Sequence, residues 1–289
     1  MRWERRVSAV VLFLLVTACS FSSSSNNNQS NTITNRGSDT MVNLALAWAE
    51  AYAKEFPQVA ISVSGGGSGI GIAALINNTV DIANVSRAMT DTEIQEANKN
   101  GVNPLQFVVA RDAIGVIVNP SNPVTHLTLR QVSDIFSGKI NNWRDVGGED
   151  RPIVRVSREV NSGTHVFFLQ AVIQLGNPKD KTIFAASTLL LPSSEGIIAE
   201  VSQNPNAIGY DGLGYITSEV KVLGLALDPA GPFIEPSSTT VRDHSYAIAR
   251  DLYMYTNGEP TGALKEYLDW IRSPEAQQIV TTLGFIPIA

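Results

Sequence analysis

The chain repeats one local pattern, in which a β-rich run is followed by a polar loop and then by an apolar helical run. The clearest copy spans residues 153–173, where β-branched residues indicate a short buried strand, Arg158 begins the loop and Ser162 is placed to cap a helix. Similar copies occupy residues 33–56 and 59–77. A chain that alternates strands and helices in this way is restricted to α/β architecture.

The loop that begins at Arg158 has the chemistry of an anion site. Its end, Ser162-Gly163-Thr164, supplies two hydroxyls and backbone N–H groups that have no carbonyl partner within the first helical turn. Arg158 lies four residues before Ser162 and carries a planar fork of donors that fits a tetrahedral oxyanion. The alternative is that Ser162 is an ordinary helix cap and Arg158 a solvated surface charge.

Three further loops carry similar groups. Residues 36–41 read Arg-Gly-Ser-Asp-Thr-Met, residues 65–71 read Gly-Gly-Gly-Ser-Gly-Ile-Gly, and a strand-like run ends in Ser86-Arg87. Asp39 also suits a plain helix cap or first-turn acid, and the glycines also suit a tight turn. The glycine-rich loop lacks the lysine of a P-loop and the spacing of a dinucleotide-binding turn, so neither motif is present.

Composition limits the class of protein and its partners. With 289 residues, 44% hydrophobic and 17% charged, the chain is long enough and apolar enough to form two domains, each with a core. The formal net charge of −6 and the lack of a long basic run argue against nucleic acid or an anionic membrane surface as the partner. A small anion is still allowed, because one arginine and local N–H groups can bind it whatever the net charge.

The N-terminus has the layout of a secretory signal. Three arginines in the first six residues precede an apolar run over residues 9–16, which is too short to span a membrane. The following Leu-Val-Thr-Ala-Cys resembles the lipobox of bacterial lipoproteins, which predicts that residues 1–18 are removed and that Cys19, the single cysteine, is lipidated. A plain signal peptide cut nearby is the alternative. Residues 19–31 are polar and of low complexity, which predicts a flexible tether.

Seven stretches of this chain match one known family in the family's own order. They are GSDTM at Gly37, GGGSGIGI at Gly65, DIANVSR at Asp81, IFSGKINNW at Ile135, RVSREVNSGT at Arg155, AIGYDGLGY at Ala207 and GFIP at Gly284. From about residue 33 to its C-terminus the chain therefore resembles the substrate-binding proteins of bacterial phosphate-specific ABC transporters.

The resemblance implies an α/β, two-lobe periplasmic-binding-protein fold of type II, in which the chain crosses twice between lobes that close on the anion. Lobe one is expected to comprise residues 32–113 and 250–289, and lobe two residues 114–249. The implied function is extracytoplasmic binding of inorganic phosphate and its delivery to a membrane-embedded ABC permease, without catalysis, cofactor, metal or nucleic acid. The protein is expected to be a monomer in the periplasm or at the cell surface, held to the membrane by its lipid.

The resemblance also implies a set of phosphate contacts. Those carried over from the family are Ser38, Thr40, Met41, Ser68, Arg158, Ser162, Gly163 and Thr164. Better-known members have an aspartate directly after the serine of the third loop, where it accepts the phosphate's proton, but this chain has Ser86-Arg87. Either Ser86 and Arg87 contact the anion, or the acceptor role has moved. Asp39 is the favoured acceptor because two expected contacts flank it, whereas Asp81 lies within a strand-like run.

Three alternatives to this function are considered. The same site could bind another tetrahedral oxyanion such as sulfate or molybdate, or a protein of this fold could serve as an adhesin or sensor. A secreted phosphatase or serine hydrolase would use Ser162 or Ser68 as its nucleophile. The three histidines of the chain do not form a metal-ligand motif, and no paired-carboxylate motif is evident, so the enzyme is disfavoured.

Overall fold

The computed structural model describes residues 31–288. The expected signal peptide, Cys19 and all but the last residue of the expected tether lie outside this range. Between residues 31 and 288, no helix combines the length and the apolar character needed to cross a membrane.

Most strands of the described chain form one mixed sheet. Its order is β2-β1-β3-β11-β4-β8-β6-β7, with β9 beside β4, and β5 and β10 form a separate parallel pair. The strands are β1 (Asn31–Gly37), β2 (Val59–Ser64), β3 (Ile82–Val85), β4 (Pro104–Val118), β5 (His126–Thr128), β6 (Val154–Arg158), β7 (Leu189–Leu191), β8 (Ala207–Gly212), β9 (Lys221–Val222), β10 (Gly224–Ala226) and β11 (Ala249–Asn257).

Helices alternate with these strands as the sequence predicts. They are α1 (Asp39–Glu55), α2 (Ser68–Ile76), α3 (Asp91–Lys99), α4 (Leu129–Phe136), α5 (Gly163–Phe168), α6 (Ser194–Gln203), α7 (Ser238–Arg242), α8 (Gly262–Ile271) and α9 (Pro274–Thr282). A π-helical turn, Leu169–Ile173, continues α5 directly, and short 3₁₀ turns occur at Trp143–Val146 and Leu213–Tyr215.

Local sequence explains where the best-defined helices begin and end. In α1 the buried residues Met41, Leu44, Trp48 and Tyr52 recur at intervals of three and four, so one face of the helix packs on the sheet, and the helix ends just before Pro57. The last helix, α9, begins with proline at its first position, and the hydroxyl of the preceding serine accepts a hydrogen bond from the N–H of Ala276 at 3.3 Å.

The longest strand joins two halves of the sheet. The sequence predicts separate β runs at residues 107–110 and 114–118, but the structure merges them into β4, a single strand of 15 residues. The first part of β4 pairs with β11 and the second part, from Ile114, pairs with β8, both antiparallel. This change of partner agrees with the expected lobe boundary at residue 113, which stays a prediction. The two crossing strands, β4 and β11, therefore lie side by side between the halves.

Each half has its own hydrophobic core. In lobe one, α1, α8 and α9 cover strands β1 and β3, with Trp48 and Tyr267 completely buried. In lobe two, α4 and α5 pack on β8, where the rings of Phe168 and Tyr210 stack at a centroid distance of 3.6 Å. Burial of these apolar surfaces, at about 25 cal/mol per Å², stabilises both halves, and Tyr215 and Ile286 each pack into the core of the opposite half.

The site loops follow the carboxyl ends of parallel strands. Strands β2, β1 and β3 are parallel neighbours, and each ends in one of the polar loops noted in the sequence. In lobe two, β6 ends at Arg158 and is parallel to β7 and β8. Loops at the carboxyl ends of such strands are where α/β proteins place their ligands.

Candidate functional site

Loops from both lobes bring a cluster of hydroxyls into contact. Thr40 Oγ1 of lobe one lies 2.8 Å from Thr164 Oγ1 of lobe two, and Ser68 Oγ lies 3.2 Å from Ser86 Oγ. Gly163 packs against both serines so closely that no side chain would fit there. The structure thus unites the loops that the sequence singles out, and all of these hydroxyls are buried.

The helix starts around this cluster differ in how they are capped. Ser162 caps α5, since its hydroxyl accepts a hydrogen bond from Thr164 N at 3.2 Å. Ser38 occupies the cap position of α1, but within the described chain its side chain makes no capping hydrogen bond. Ser38 is only 2% exposed, and its hydroxyl is therefore buried without serving as the N-terminal cap of α1. The α2 start is capped by glycine, which also has no side-chain acceptor.

Arg158 lies at the centre of the interface between the lobes. It is 1% exposed, so the alternative of a solvated surface charge is wrong. Its Nη1 donates to Ser194 Oγ at 2.8 Å, and its Nη2 donates to Pro192 O and to Asp39 Oδ2, each at 2.8 Å. Its Nε is buried and has no hydrogen-bond partner among the described residues. One donor of the guanidinium is therefore not used by any described protein group.

Asp39 connects the lobes through its carboxylate. It is the first residue of α1 and not the cap, because Ser38 holds the cap position. One oxygen, Oδ2, pairs with Arg158, and the other accepts a hydrogen bond from Gly66 N at 2.8 Å. Its backbone carbonyl also accepts the hydroxyl hydrogen of Tyr215 at 2.7 Å. Of the two local roles that the sequence allows for Asp39, the helix cap is wrong and the first-turn acid is confirmed, and its contacts with Arg158, Gly66 and Tyr215 come in addition.

A second acid, Asp211, is linked to Arg158 through the Ser194 hydroxyl, and the sequence analysis did not predict this contact. Its Oδ1 accepts hydrogen bonds from Ser194 Oγ at 3.0 Å and from Gly212 N at 2.7 Å, while Ser194 in turn accepts from Arg158. Burial raises the pKa of Asp211 to about 6, although the nearby Arg158 charge acts in the opposite direction. The sequence signal was an acid within an otherwise apolar buried strand.

A buried ion pair on the two crossing strands was also missed. Arg250 of β11 pairs with Asp112 of β4 at 2.8 Å, and its Nη2 also lies 3.0 Å from Thr164 Oγ1. Both charged residues fall within β-rich runs, where a charge on an inward-facing position is the only signal that could have identified them.

Two predicted contacts are placed differently from the expectation. Both Nη atoms of Arg87 donate hydrogen bonds to the Glu93 carboxylate, at 2.8 and 2.7 Å. The guanidinium therefore pairs with Glu93 and not with the hydroxyl cluster. It lines a cavity of about 600 Å³ beside Phe167. The Met41 side chain is buried in the core of lobe one, and its N–H donates to Ser38 O at 3.0 Å within the first turn of α1.

His165 holds the backbone of Arg158 and does not contact Ser68 or Ser162, the two serines that an enzyme would use as nucleophile. Its Nδ1 lies 2.9 Å from Arg158 O and 3.1 Å from Ser157 Oγ, and burial lowers its pKa. In the described chain neither Ser68 nor Ser162 has a histidine partner, and no group of three or more His, Cys, Asp or Glu residues could hold a metal. The geometry provides hydrogen-bond donors and charge, but no activated nucleophile.

Comparison with known proteins identifies the family. A model of the PBP superfamily domain matches residues 22–275. The phosphate-binding protein PstS of Pseudomonas aeruginosa is 32% identical over an alignment of 276 residues that covers 90% of this chain and 84% of that protein. PstS of Bacillus subtilis is also 32% identical, over 90% of this chain and 81% of that protein. The chain belongs to the phosphate-binding protein family of the PBP superfamily.

Solved structures of similar proteins agree with this family. A putative phosphate ABC transporter substrate-binding protein from Clostridium perfringens, solved with bound phosphate, has a TM-score of 0.80 at 30% identity and matches 90% of this chain and 100% of its own. An ABC-type phosphate transport receptor from Vibrio cholerae has a TM-score of 0.71 at 29% identity, over 88% and 99% of the two chains. The expected two-lobe α/β fold of the phosphate-binding protein family is thereby confirmed.

The contact between Gly163 and the two serines leads to a prediction about closure. A Cβ atom at residue 163 would lie 2.5 Å from Ser86 Oγ and closer still to Ser68 Oγ. We expect Gly163→Ala to keep the lobes apart, which increases the radius of gyration measured by small-angle scattering and weakens anion binding. Gly196→Ala is the control, because its new Cβ would meet its nearest neighbour at an ordinary 3.4 Å. An unchanged radius of gyration in the Gly163 variant would contradict the closed arrangement.

Proposed function

We propose that this protein binds inorganic phosphate in the cleft between its lobes and delivers it to a membrane-embedded ABC permease for uptake. The observation that carries this function is the buried Arg158 guanidinium, which contacts the Ser194 hydroxyl and, across the lobes, the carboxylate of Asp39, the neighbour of Thr40 in the chain. Similar proteins named for phosphate binding, one of them solved with phosphate bound, support the same ligand. The proposed form is the monomer that the resemblance implies.

The proposed contacts replace the water around a dianion. Moving an anion out of water costs several kcal/mol or more unless charge and hydrogen bonds compensate. Arg158 supplies the positive charge, and the buried hydroxyls supply short donors from several directions. The proposed phosphate contacts are Ser38, Asp39, Thr40, Ser68, Ser86, Arg158, Ser162, Gly163 and Thr164. With the lobe boundaries proposed from the sequence, they are divided between the two lobes, so binding of the anion favours closure.

The alternatives are less well supported. An enzyme would require an activated nucleophile, whereas the serine hydroxyls of this cluster contact each other or a backbone N–H. A site for another tetrahedral oxyanion would use the same donors, so the choice of anion depends on an acceptor for the phosphate's proton. The protein is therefore proposed to bind and release its ligand unchanged.

Asp39 is the proposed acceptor of the phosphate's proton. Its carboxylate already contacts Arg158 and Gly66, but a carboxylate has about four lone-pair positions, so it can accept a further hydrogen bond. Sulfate carries no proton at neutral pH and would meet an unpaired negative charge there. Because Asp39 pairs with Arg158, the acceptor is held next to the main positive charge of the site.

Removal of the Arg158 charge tests the proposed function. We expect Arg158→Ala to weaken phosphate binding by at least about 2 kcal/mol in calorimetry, because a buried dianion loses its strongest charge-assisted partner. Arg158→Lys is expected to recover only part of this loss, since an ammonium group cannot form the fork. Arg144, which is largely exposed, provides the control substitution to alanine. Equal affinity for phosphate in all four proteins would refute the proposal.

A second prediction concerns selectivity. Asp39→Asn is expected to lower phosphate affinity and to raise sulfate affinity, because the charge that repels an unprotonated dianion is gone. If Asp39 only holds Arg158 in place, both affinities will change in the same direction by similar factors. Titration of the variant with both anions at neutral pH distinguishes these outcomes, and an unchanged phosphate-to-sulfate ratio rules out the acceptor role.

We also propose that the protein functions outside the cytoplasm and is attached to the membrane through Cys19. The apolar run over residues 9–16 and the lipobox-like Leu-Val-Thr-Ala-Cys support export and lipidation, and residues 19–31 would then act as a tether. The twelve residues 20–31, eleven of them polar, reach roughly 20 Å as a random coil, which leaves the folded lobes free to approach a permease.

The anchor is tested by changing the lipidated residue. Cys19→Ala is expected to release the folded protein from the membrane fraction, because the polar tether carries no other apolar anchor once the signal is removed. Immunoblots of membrane and soluble fractions give the result, and Ser20→Ala provides the matched control. A Cys19 variant that stays membrane-bound without an uncleaved signal would contradict the lipid anchor.

A further inference from the structure

Two identical tripeptides face each other on the crossing strands. Residues 110–112 and residues 249–251 both read Ala-Arg-Asp. In the antiparallel register of β4 and β11, Arg250 is opposite Asp112 and Asp251 is opposite Arg111. Because neighbouring residues of a strand point to opposite faces, the two ion pairs lie on opposite sides of the sheet.

The two ion pairs differ sharply in burial. The side chains of Arg111 and Asp251 are 41% and 37% exposed, whereas those of Arg250 and Asp112 are 2% and 0% exposed. A buried ion pair is usually no more stable than apolar residues of similar volume, because both charges lose their water. Stability alone therefore does not explain the inner pair, and its position next to the hydroxyl cluster indicates a role there.

The Arg250 guanidinium contacts hydroxyls from both lobes. Its Nη2 lies 2.8 Å from Asp112 Oδ2, 3.0 Å from Thr164 Oγ1 and 3.5 Å from Thr40 Oγ1. Nε also donates to Asp112, at 3.2 Å, which fixes the plane of the guanidinium. The face of the Phe167 ring covers the other side, with 5.5 Å between Arg250 Cζ and the ring centroid. The group is thus held rigidly behind the two threonines.

The direction of these hydrogen bonds has a chemical consequence. A guanidinium has donors only, so in its contact with Thr164 the hydroxyl oxygen must accept. The hydroxyl hydrogen of Thr164 is then left to donate elsewhere, and its present neighbour is Thr40 Oγ1 at 2.8 Å. An anion between the lobes can only accept hydrogen bonds, so it requires hydroxyls that point their hydrogens toward it. Arg250 enforces that orientation for Thr164 and, at longer range, for Thr40.

We propose that Arg250, fixed by Asp112, is a positioning residue of the anion site that makes Thr40 and Thr164 donors and places a second positive charge behind them. This inference rests on the proposed binding of phosphate. Arg250 itself does not need to touch the ligand, because its charge acts through the two hydroxyls. Its place on a crossing strand allows it to contact both lobes only when they are closed, so it also favours the closed form.

The first experiment replaces the inner pair by a neutral pair of similar shape. The double substitution Arg250→Gln with Asp112→Asn keeps hydrogen-bonding groups at both positions, and its match on the outer face is Arg111→Gln with Asp251→Asn. Calorimetry with inorganic phosphate is expected to show about a tenfold loss of affinity or more for the inner pair. The outer pair is expected to change affinity by less than about twofold, as is usual for exposed ion pairs. Equal affinity of the inner variant and the unaltered protein would overturn the inference.

A second experiment separates a positioning role from a structural one. If Arg250 acts through Thr164, the inner substitutions should cost little additional affinity in a Thr164→Val background, because the hydroxyl that they orient is already absent. Fully additive losses would overturn the positioning role. Arg250→Lys serves if the neutral pair does not fold, and we expect it to lose affinity by several-fold and to show the same lack of additivity. Failure of the unaltered protein to bind phosphate would instead overturn the proposed function itself.

Discussion

The site depends on one ion pair that links the lobes, between Arg158 and Asp39. Arg158 comes from the end of β6 in lobe two, and Asp39 comes from the start of α1 in lobe one. The Arg158 charge is not stable at its depth without partners, since an unpaired buried charge costs several kcal/mol, whereas the Asp39 side chain stays 23% exposed. Their contact is therefore possible only when the lobes are together, and separation of the lobes exposes both groups to water. Closure and the assembly of the anion site are one event.

Three further buried charged residues, Asp211, Arg250 and Asp112, lie near this ion pair. Arg158 is held from behind by Ser194 and Asp211, and a second arginine, Arg250, is held by Asp112. Burial raises the pKa of Asp211 to about 6, so the folded protein keeps this proton to a higher pH than the unfolded chain does. Its carboxylate consequently reduces the free energy of unfolding as the pH rises from its usual pKa of about 4 toward 6, because the unfolded chain releases that proton more readily. A protein retains a buried acid with such a cost when the acid positions a neighbour, and here that neighbour is Arg158.

The sequence predicted the parts of the protein that depend on local chemistry. The predicted serine cap of α5 is confirmed, and neighbouring residues also explain the serine-proline-acid start of α9 and the apolar stripe of α1. The meeting of the three polar loops of lobe one could be expected, because β1, β2 and β3 are parallel and present their carboxyl ends on one edge. Strand β6 runs antiparallel to them, so strand direction does not explain why the Arg158 loop joins these three. The seven matched stretches then named the correct family.

What the sequence did not predict depends on contacts between distant residues. Arg250 and Asp112 are 138 residues apart, and only the register of β4 and β11 makes them a pair. Arg87 follows Ser86 directly, yet its guanidinium forms an ion pair with Glu93 at the start of α3. The support of Arg158 by Asp211 required the position of α6. Such partners are chosen by tertiary packing, which local pattern and spacing do not determine.

A crystal structure of the protein grown with inorganic phosphate tests the central claim most directly. The account predicts one phosphate between the lobes, with its oxygens about 2.6–3.2 Å from Arg158 nitrogens, from the Thr164 and Ser68 hydroxyls, and from the Asp39 carboxylate that accepts its proton. Arg250 should remain behind the threonines without touching the ligand. A phosphate bound instead beside Arg87, with Arg158 still bonded only to protein groups, would contradict it.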